Sequence, residues 1–150
     1  MTLHAPSRRA AFAGAGLVLA AAMLRPAEAS AAERDNVKVV ADFLKAWAAA
    51  DVTGAQLAAF MTTDAEFRFE RKETIMGNGA LAAAFDAYLD GGKRYQMKPL
   101  ETHAKGPVVV HFREETPVGP NGAGVKETLV GLFILQGGKI RIWENFLAEV

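Results

Sequence analysis

Three segments of the chain repeat apolar residues at the three- and four-residue spacing of an amphipathic helix. The first follows Asp35, a residue suited to capping a helix, and extends over Val37–Ala48. A break at 51–54 separates it from a short helix predicted for Gln56–Met61. The third extends over Ala80–Leu89 and is closed by two glycines. The pattern therefore predicts three helices, all in the first two thirds of the chain.

After a predicted break at 62–64, the spacing of apolar residues changes to two. Phe67 and Phe69 then face one side of a strand, while Arg68 faces the other. A polar connection is predicted for 71–79, and a Gly- and Pro-rich loop leads to residue 124. Four more strands are predicted, namely Tyr95–Ala104, Val108–Thr116, Val125–Leu135 and Lys139–Ala148. This order favours an α+β domain with a mostly antiparallel sheet and helices packed on one face.

The strand Val108–Thr116 carries an unusual number of charged residues. Residues of a strand alternate between its two sides, so His111, Arg113 and Glu115 share one face. Arg113 and Glu115 either project into a cavity as a polar pair or stand on a solvated face of the sheet. The parity of the strand leaves both interpretations open.

Composition excludes several classes of function. The 150 residues allow one domain with a substantial core. Seventeen basic residues balance seventeen acidic ones without a basic run, so we expect no binding of nucleic acid. The chain has no cysteine, which excludes disulfides, thiolate catalysis and cysteine metal sites. The spacing of its histidines matches no metal motif, and we expect neither a metal nor a cofactor.

The N-terminal segment has the features of an export leader. Arg8 and Arg9 precede an apolar run over 10–24, and small residues follow up to Ala31. The run is shorter than the roughly 20 residues that a membrane-spanning helix needs. We therefore predict a twin-arginine-type leader over 1–31, a mature domain over 32–150, and a periplasmic or secreted protein without membrane attachment after cleavage. An uncleaved N-terminal anchor is the alternative.

The order of elements resembles the nuclear transport factor 2-like fold, in which a curved sheet and helices enclose a conical pocket. The C-terminal part of the chain resembles the C-terminal end of SnoaL-like domains. The motifs concerned are Gly131–Leu135 and Ile142–Phe146, joined by the turn Gly137–Ile140. They are most similar to relatives of limonene-1,2-epoxide hydrolase. The resemblance covers essentially the whole mature chain and implies a small hydrophobic ligand or substrate; we also expect a homodimer.

The resemblance also implies a set of candidate site residues. The hydrolases carry Arg-x-Asp on one strand and Trp-x-Asp on the last strand, and Arg113-Glu114-Glu115 and Trp143-Glu144-Asn145 stand at the matching places. Arg113 would orient the substrate and Glu115 would act as the acid. Asn145 occupies the position of the base, and an amide cannot accept a proton near neutral pH. The hydrolase mechanism therefore does not transfer intact.

Further departures lie at neighbouring positions. Two hydrolase residues that hold the attacking water correspond to Phe67 and Phe69. Glu127 stands where the hydrolases are apolar, so a second carboxylate is predicted to enter the pocket and form an acid and base pair with Glu115. The alternative is that Glu127 is solvated at the end of its strand. Residues expected to line the pocket or core are Phe67, Phe69, His111, Leu129, Phe133 and Trp143.

Two functions remain open on the sequence. One is a pocket domain that binds a small hydrophobic ligand without catalysis. The other is a cofactor-independent acid–base enzyme that opens epoxides or isomerises a ring, with Glu127 or a water held by Asn145 replacing the missing base. Glu144 has the opposite parity to Asn145 and is expected to face solvent or a subunit interface.

Overall fold

The structure, a computed structural model, describes residues 29–148. Its helices are α1 (Ala31–Trp47), α2 (Gly54–Ala58) and α3 (Asn78–Leu89), followed by a 3₁₀ turn over Asp90–Gly92. Its strands are β1 (Met61–Phe69), β2 (Glu73–Met76), β3 (Arg94–Lys105), β4 (Val108–Gly119), β5 (Gly122–Ala123), β6 (Glu127–Gln136) and β7 (Lys139–Leu147). Apart from 29–31, the predicted leader lies outside the described residues. Within 29–148, no helix has the length and apolar character required to cross a membrane.

One mixed sheet forms the body of the domain. Its strands follow the order β2-β1-β7-β6-β4-β3, and β5 pairs with the end of β4. Neighbouring strands are antiparallel, except that β1 and β7 run parallel. The parallel pair places the first strand beside the last. The predicted α+β fold, with a curved and mostly antiparallel sheet and three helices packed on it, is confirmed.

Aromatic side chains dominate the core between α1 and the sheet. Phe43 of α1 is fully buried and meets the ring of Trp143 edge to face, with 5.0 Å between ring centroids. Trp47, one turn further along α1, meets Phe85 of α3 in the same way at 4.9 Å. Edge-to-face pairs at such separations stabilise beyond their buried area. They fix the positions of Trp47 and Trp143 between the helices and the sheet.

The start of α1 differs from the prediction. Ser30, not Asp35, is the N-cap, and it forms a capping box with Glu33: the Ser30 hydroxyl accepts from the Glu33 amide at 3.1 Å, and the Glu33 carboxylate accepts from the Ser30 amide at 2.7 Å. The Ser-x-x-Glu signature spans the predicted leader boundary, where the sequence predicts a cleavage site instead of a helix start. Glu33 also accepts from the Gly106 amide at 2.9 Å, which attaches the helix to the β3–β4 turn.

The segment between α2 and α3 also differs from the prediction. The helix predicted for Gln56–Met61 ends at Ala58, and the predicted break at 62–64 belongs to β1. The predicted polar connection contains β2, which pairs with β1 alone and shows no alternation of buried and exposed residues. An edge strand of this kind lacks the period-two signal by which strands are recognised in a sequence. β5, a two-residue strand, was missed in the Gly-rich loop for the same reason.

Candidate functional site

A cavity of about 320 Å³ opens between the sheet and helices α1 and α3. Its walls are aromatic and its polar side chains are few. The aromatic residues are Trp47, Phe67, Phe69, Tyr88, Tyr95 and Trp143, and the polar ones are Glu73, Arg113, Glu115 and Asn145. An apolar pocket with a few convergent polar groups is typical of a site for small molecules.

Strand register brings the polar residues to the floor of this cavity. Phe69 of β1 lies beside Asn145 of β7, and Asn145 lies beside Gly131 of β6. A β-carbon at Gly131 would stand 3.1 Å from Nη1 of Arg113 and 2.8 Å from the ring of Phe133. Gly131 thus leaves room for the guanidinium of Arg113, which extends from β4 across β6 to Asn145.

Arg113 is the central charge of the site. Its side chain is only 1% exposed, and its Nε donates to Oε2 of Glu115 at 2.9 Å. Its Nη2 donates to Oδ1 of Asn145 at 3.4 Å. Burial lowers the pKa of Arg113, while the charge and hydrogen bond of Glu115 act to raise it. The structure therefore brings together Arg113, Glu115 and Asn145, three of the four residues that the resemblance to the hydrolases indicated as catalytic candidates.

The amide of Asn145 is oriented by two donors. Its Oδ1 accepts from Nε1 of Trp143 at 2.8 Å as well as from Arg113. Indole and guanidinium nitrogens can only donate, so they require the carbonyl oxygen of Asn145 to face them. The other end of the amide, Nδ2, is a donor. The floor thus offers N–H groups, and the neighbouring Glu115 offers carboxylate oxygens.

Four residues of the cavity are not among the site residues that the sequence predicts, namely Trp47, Glu73, Tyr88 and Tyr95. Glu73 lies on β2, in a segment predicted to be a polar connection. The Tyr88 hydroxyl donates to Oε2 of Glu73 at 3.4 Å, and burial together with Glu73 raises the pKa of Tyr88. Burial, followed by the charges of Glu115 and Glu127, raises the pKa of Tyr95. Glu73 is a second carboxylate in the cavity. The available sequence signal was confined to the two tyrosines, whose hydroxyl groups border apolar segments.

Four predicted residues lie outside the cavity lining. Glu127 is exposed at the first position of β6, opposite Glu115, so the alternative of a solvated carboxylate describes it and the predicted entry into the pocket does not. Leu129 and Phe133 are buried in the core, where the ring of Phe133 stacks on Trp143 at 5.9 Å. His111 lies in a separate groove. The alternation of residues along each strand predicted correctly which side of the sheet these residues face. It did not predict where along the strand the cavity lies.

Glu144 corrects another expectation. It points away from Asn145, as predicted, and at 5% exposure it is not solvated, so of the two expectations only the subunit interface stays a prediction. Arg68 and Arg71 cover it, with guanidinium nitrogens 3.9 and 3.8 Å from its carboxylate oxygens. Within 29–148, no group of three or more His, Asp or Glu side chains is arranged to hold a metal ion.

The chain belongs to the SnoaL-like domain family, whose model matches residues 40–143. The match includes every residue that lines the cavity except Asn145, which lies two residues beyond its end. Comparison with curated proteins found no match.

Several solved structures share the fold. A limonene-epoxide-hydrolase-like epoxide hydrolase of M. tuberculosis is 19% identical, with 77% of this chain and 84% of that one covered at a TM-score of 0.69. SalBIII, an epoxide hydrolase/cyclase-like enzyme in pyran ring formation in the polyether salinomycin, is 20% identical, with 77% and 92% covered at 0.67. A protein described as a SnoaL-like polyketide cyclase from Jannaschia sp. CCS1 is 25% identical, with 81% and 91% covered at 0.64. The nuclear transport factor 2-like fold is thereby established.

Proposed function

We propose that this chain binds a small, largely apolar molecule in the cavity, with one oxygen acceptor of that molecule held at the Arg113–Asn145 floor. The observation that carries the proposal is the orientation of Asn145. Its carbonyl is occupied by Trp143 and Arg113, so Nδ2 remains to donate to a ligand. A carbonyl, ether or epoxide oxygen accepts such a bond.

The dimensions of the cavity support a compact ligand. Its volume of about 320 Å³ lies at the small end of the range for ligand pockets, roughly 300–1,000 Å³. Aromatic walls on several sides match a ring of carbon atoms better than an extended polar chain. A cyclic ketone or ether with an otherwise hydrocarbon body fits both features.

Tryptophan fluorescence tests the proposal directly. The chain has two tryptophans, Trp47 and Trp143, and both line the cavity, so its occupancy should change the emission. We expect camphor to produce a saturable change and its hydrocarbon parent, bornane, to bind about tenfold more weakly because it lacks the acceptor. Glu127→Gln is a matched control outside the lining and should bind camphor as the wild type does. Equal affinity for camphor and bornane would refute recognition of an acceptor.

Acid–base catalysis is a second candidate, favoured by Glu73. Glu73 and Glu115 line the same cavity, and only Glu115 is paired with Arg113. In epoxide opening, Glu73 would take a proton from water as its oxygen bonds to carbon. The carbon–oxygen bond of the epoxide would break as the leaving oxygen takes a proton from Glu115, and a diol would form; Glu115 must first take up that proton, which interrupts its ion pair with Arg113. Glu73 thus fills the role first assigned to Glu127.

Hydrolysis of limonene 1,2-epoxide by the purified protein, followed by gas chromatography, distinguishes the two candidates. The enzyme hypothesis predicts turnover that is lost in Glu73→Gln and Glu115→Gln and retained in Glu127→Gln. Absence of turnover in a protein that binds camphor would eliminate catalysis of epoxide opening and leave the binding function standing.

Export is a further part of the proposed function, supported by Arg8-Arg9 and the apolar run that follows. N-terminal sequencing of the exported form should begin at Ser30 or Ala32. A start at Ser30 retains the capping residue of α1, whereas a start at Ala32 removes it. Replacing Arg8 and Arg9 by Lys should retain the protein in the cytoplasm; unchanged export would contradict the assignment.

We also propose a homodimer. Apolar side chains on the face of the sheet opposite the helices, among them Val130, Leu132 and Phe146, are only half-buried in one copy of the chain. Burying them against a second copy would remove apolar area from water. Sedimentation equilibrium should give twice the mass of the chain, and Leu132→Glu should shift the protein to the monomer. A monomeric wild type at high micromolar concentration would refute the proposal.

A further inference from the structure

A second groove, of about 340 Å³, lies between α1 and β3 and shares no lining residue with the cavity. We call it the α1–β3 groove. Its helix side extends from Val37 to Ala48, which at the rise of an α-helix is about 16 Å. Its sheet side includes Met97, Thr102 and His111. The walls are mostly apolar, and Lys45 is exposed at the edge.

A bulge in β3 lies beside the groove. The pairing of β3 with β4 shifts register between Pro99 and Glu101, which leaves Leu100 between them half exposed. A bulge bends the strand that carries it. The irregularity stands where β3 faces α1, on the outer edge of the sheet, and it accompanies a local separation of the two elements.

His111 and Thr102 form the polar end of the groove. They are paired across β4 and β3, and Nδ1 of His111 is 2.8 Å from Oγ1 of Thr102. The His111 side chain is 4% exposed, and its Nε2 has no hydrogen-bond partner within 29–148. Burial, followed by the charge of Arg113, lowers the pKa of His111 to about 4, so the ring is neutral at physiological pH. The polar end therefore carries no charge.

We propose that the α1–β3 groove binds a small apolar molecule with a single hydroxyl group, an alcohol or phenol, whose hydroxyl meets the Thr102–His111 pair. The Thr102 hydroxyl either donates to Nδ1 and remains an acceptor, or accepts from Nδ1–H and keeps its own proton. A ligand hydroxyl satisfies both cases because it can donate and accept. A carbonyl satisfies only one, and a carboxylate would bring a charge to a neutral pair.

The size of the groove agrees with such a ligand. An apolar cavity of about 150 Å³ accommodates benzene, and the α1–β3 groove has roughly twice that volume. A substituted phenol therefore fits between Leu44 and Met97. Lys45 contributes its aliphatic stem to the wall while its ammonium group stays in water.

Chemical-shift mapping with 4-methylphenol tests the proposal. In the wild-type protein we expect saturable shifts of the backbone amides of Ala41, Met97 and Thr102. Shifts restricted to amides of the cavity, such as Phe69 and Tyr95, would overturn the proposal and leave the proposed function intact. Absence of any saturable shift at millimolar 4-methylphenol would overturn it as well.

Two adjacent helix positions supply a matched pair of variants. Ala41 lines the groove, whereas Asp42 does not, and both are exposed on α1. Ala41→Phe should fill the groove and weaken 4-methylphenol binding by tenfold or more, while Asp42→Phe should leave it unchanged. Undiminished binding to a folded Ala41→Phe protein would refute the assignment.

The hydroxyl is tested by comparing 4-methylphenol with 1,4-dimethylbenzene, which replaces the hydroxyl by a methyl group. The preference for the phenol should fall about fivefold in Thr102→Val and persist in Thr102→Ser. Thr102 is exposed on a strand, where valine is well tolerated. An unchanged preference in Thr102→Val would show that the hydroxyl is not recognised there.

Discussion

The buried pair of Arg113 and Glu115 makes a sharp prediction about stability. Glu115→Leu removes the carboxylate 2.9 Å from Nε and leaves a guanidinium that is 1% exposed without its counter-ion. Breaking a buried ion pair from one side costs about 3–5 kcal/mol. Because the side chain of Glu115 is itself 14% exposed, we expect the lower end, about 3 kcal/mol. That corresponds to roughly a hundredfold decrease in the folding equilibrium constant.

Urea unfolding followed by tryptophan fluorescence measures this loss, since Trp47 and Trp143 are both buried. The double variant Arg113→Met with Glu115→Leu removes both charges and should recover most of the stability lost in Glu115→Leu. Glu114→Leu is the matched control on the same strand. Glu114 pairs with Lys98 and Lys126, which are both exposed. The Glu114→Leu variant should therefore lose less than about 1 kcal/mol in free energy of unfolding.

The outcome that refutes this reasoning is specific. If Glu115→Leu and Glu114→Leu lose equal stability, the burial of Arg113 does not control the strength of the pair. If the double variant is less stable than Glu115→Leu, the loss comes from the shape of the side chains and not from an uncompensated charge.

Three further predictions follow from local contacts. Ser30→Ala should reduce the free energy of unfolding by about 1 kcal/mol in urea, because it removes the cap of α1, whereas Ser30→Asp should retain it. Hydrogen bonds from Gly106 and Ser30 lower the pKa of Glu33 from 4.5 to about 2. The ionised carboxylate therefore stabilises the folded protein fully above pH 4.5, and this contribution is lost as the pH falls toward 2. Glu33→Gln should make the free energy of unfolding less dependent on pH in that range. Gly131→Ala should weaken camphor binding more than it lowers stability, because the new methyl group displaces the guanidinium of Arg113; equal binding with the wild-type melting temperature would contradict this.

The elements that the sequence predicted well are those with a strong period. The alternation along β4 placed Arg113 and Glu115 on one side, and the structure puts both in the cavity. The same parity argument failed for Glu127, since alternation identifies a face of the sheet and says nothing about where along the strand the cavity ends. The position of a residue relative to the cavity is decided by the register of several strands, and register depends on tertiary pairing.

Glu73 could not be recognised as a site residue from the sequence, because β2 forms a strand through its pairing with β1 and not through a pattern in its own residues. β2 is four residues long, is paired on one side, and has no buried alternate positions. Helix α1 shows a different limit. Its capping box was visible as Ser-x-x-Glu, yet the small residues beside it match a cleavage site equally well. One short segment satisfies two physical rules, and the hydrogen bond from Gly106 to Glu33 shows that it also attaches α1 to the β3–β4 turn.

The parallel pairing of β1 with β7 has a consequence for the order in which the cavity forms during folding. Phe67 lies opposite Trp143 in register, so one wall of the cavity joins residues from the two ends of the sheet-forming chain. Contacts between distant parts of a sequence form late, since the loop between them must close first. During synthesis the cavity therefore lacks Trp143 and Asn145 until β7 has been made. Recovery of camphor binding after dilution from urea should therefore coincide with the slowest folding phase, in which β7 pairs with β1 and completes the cavity.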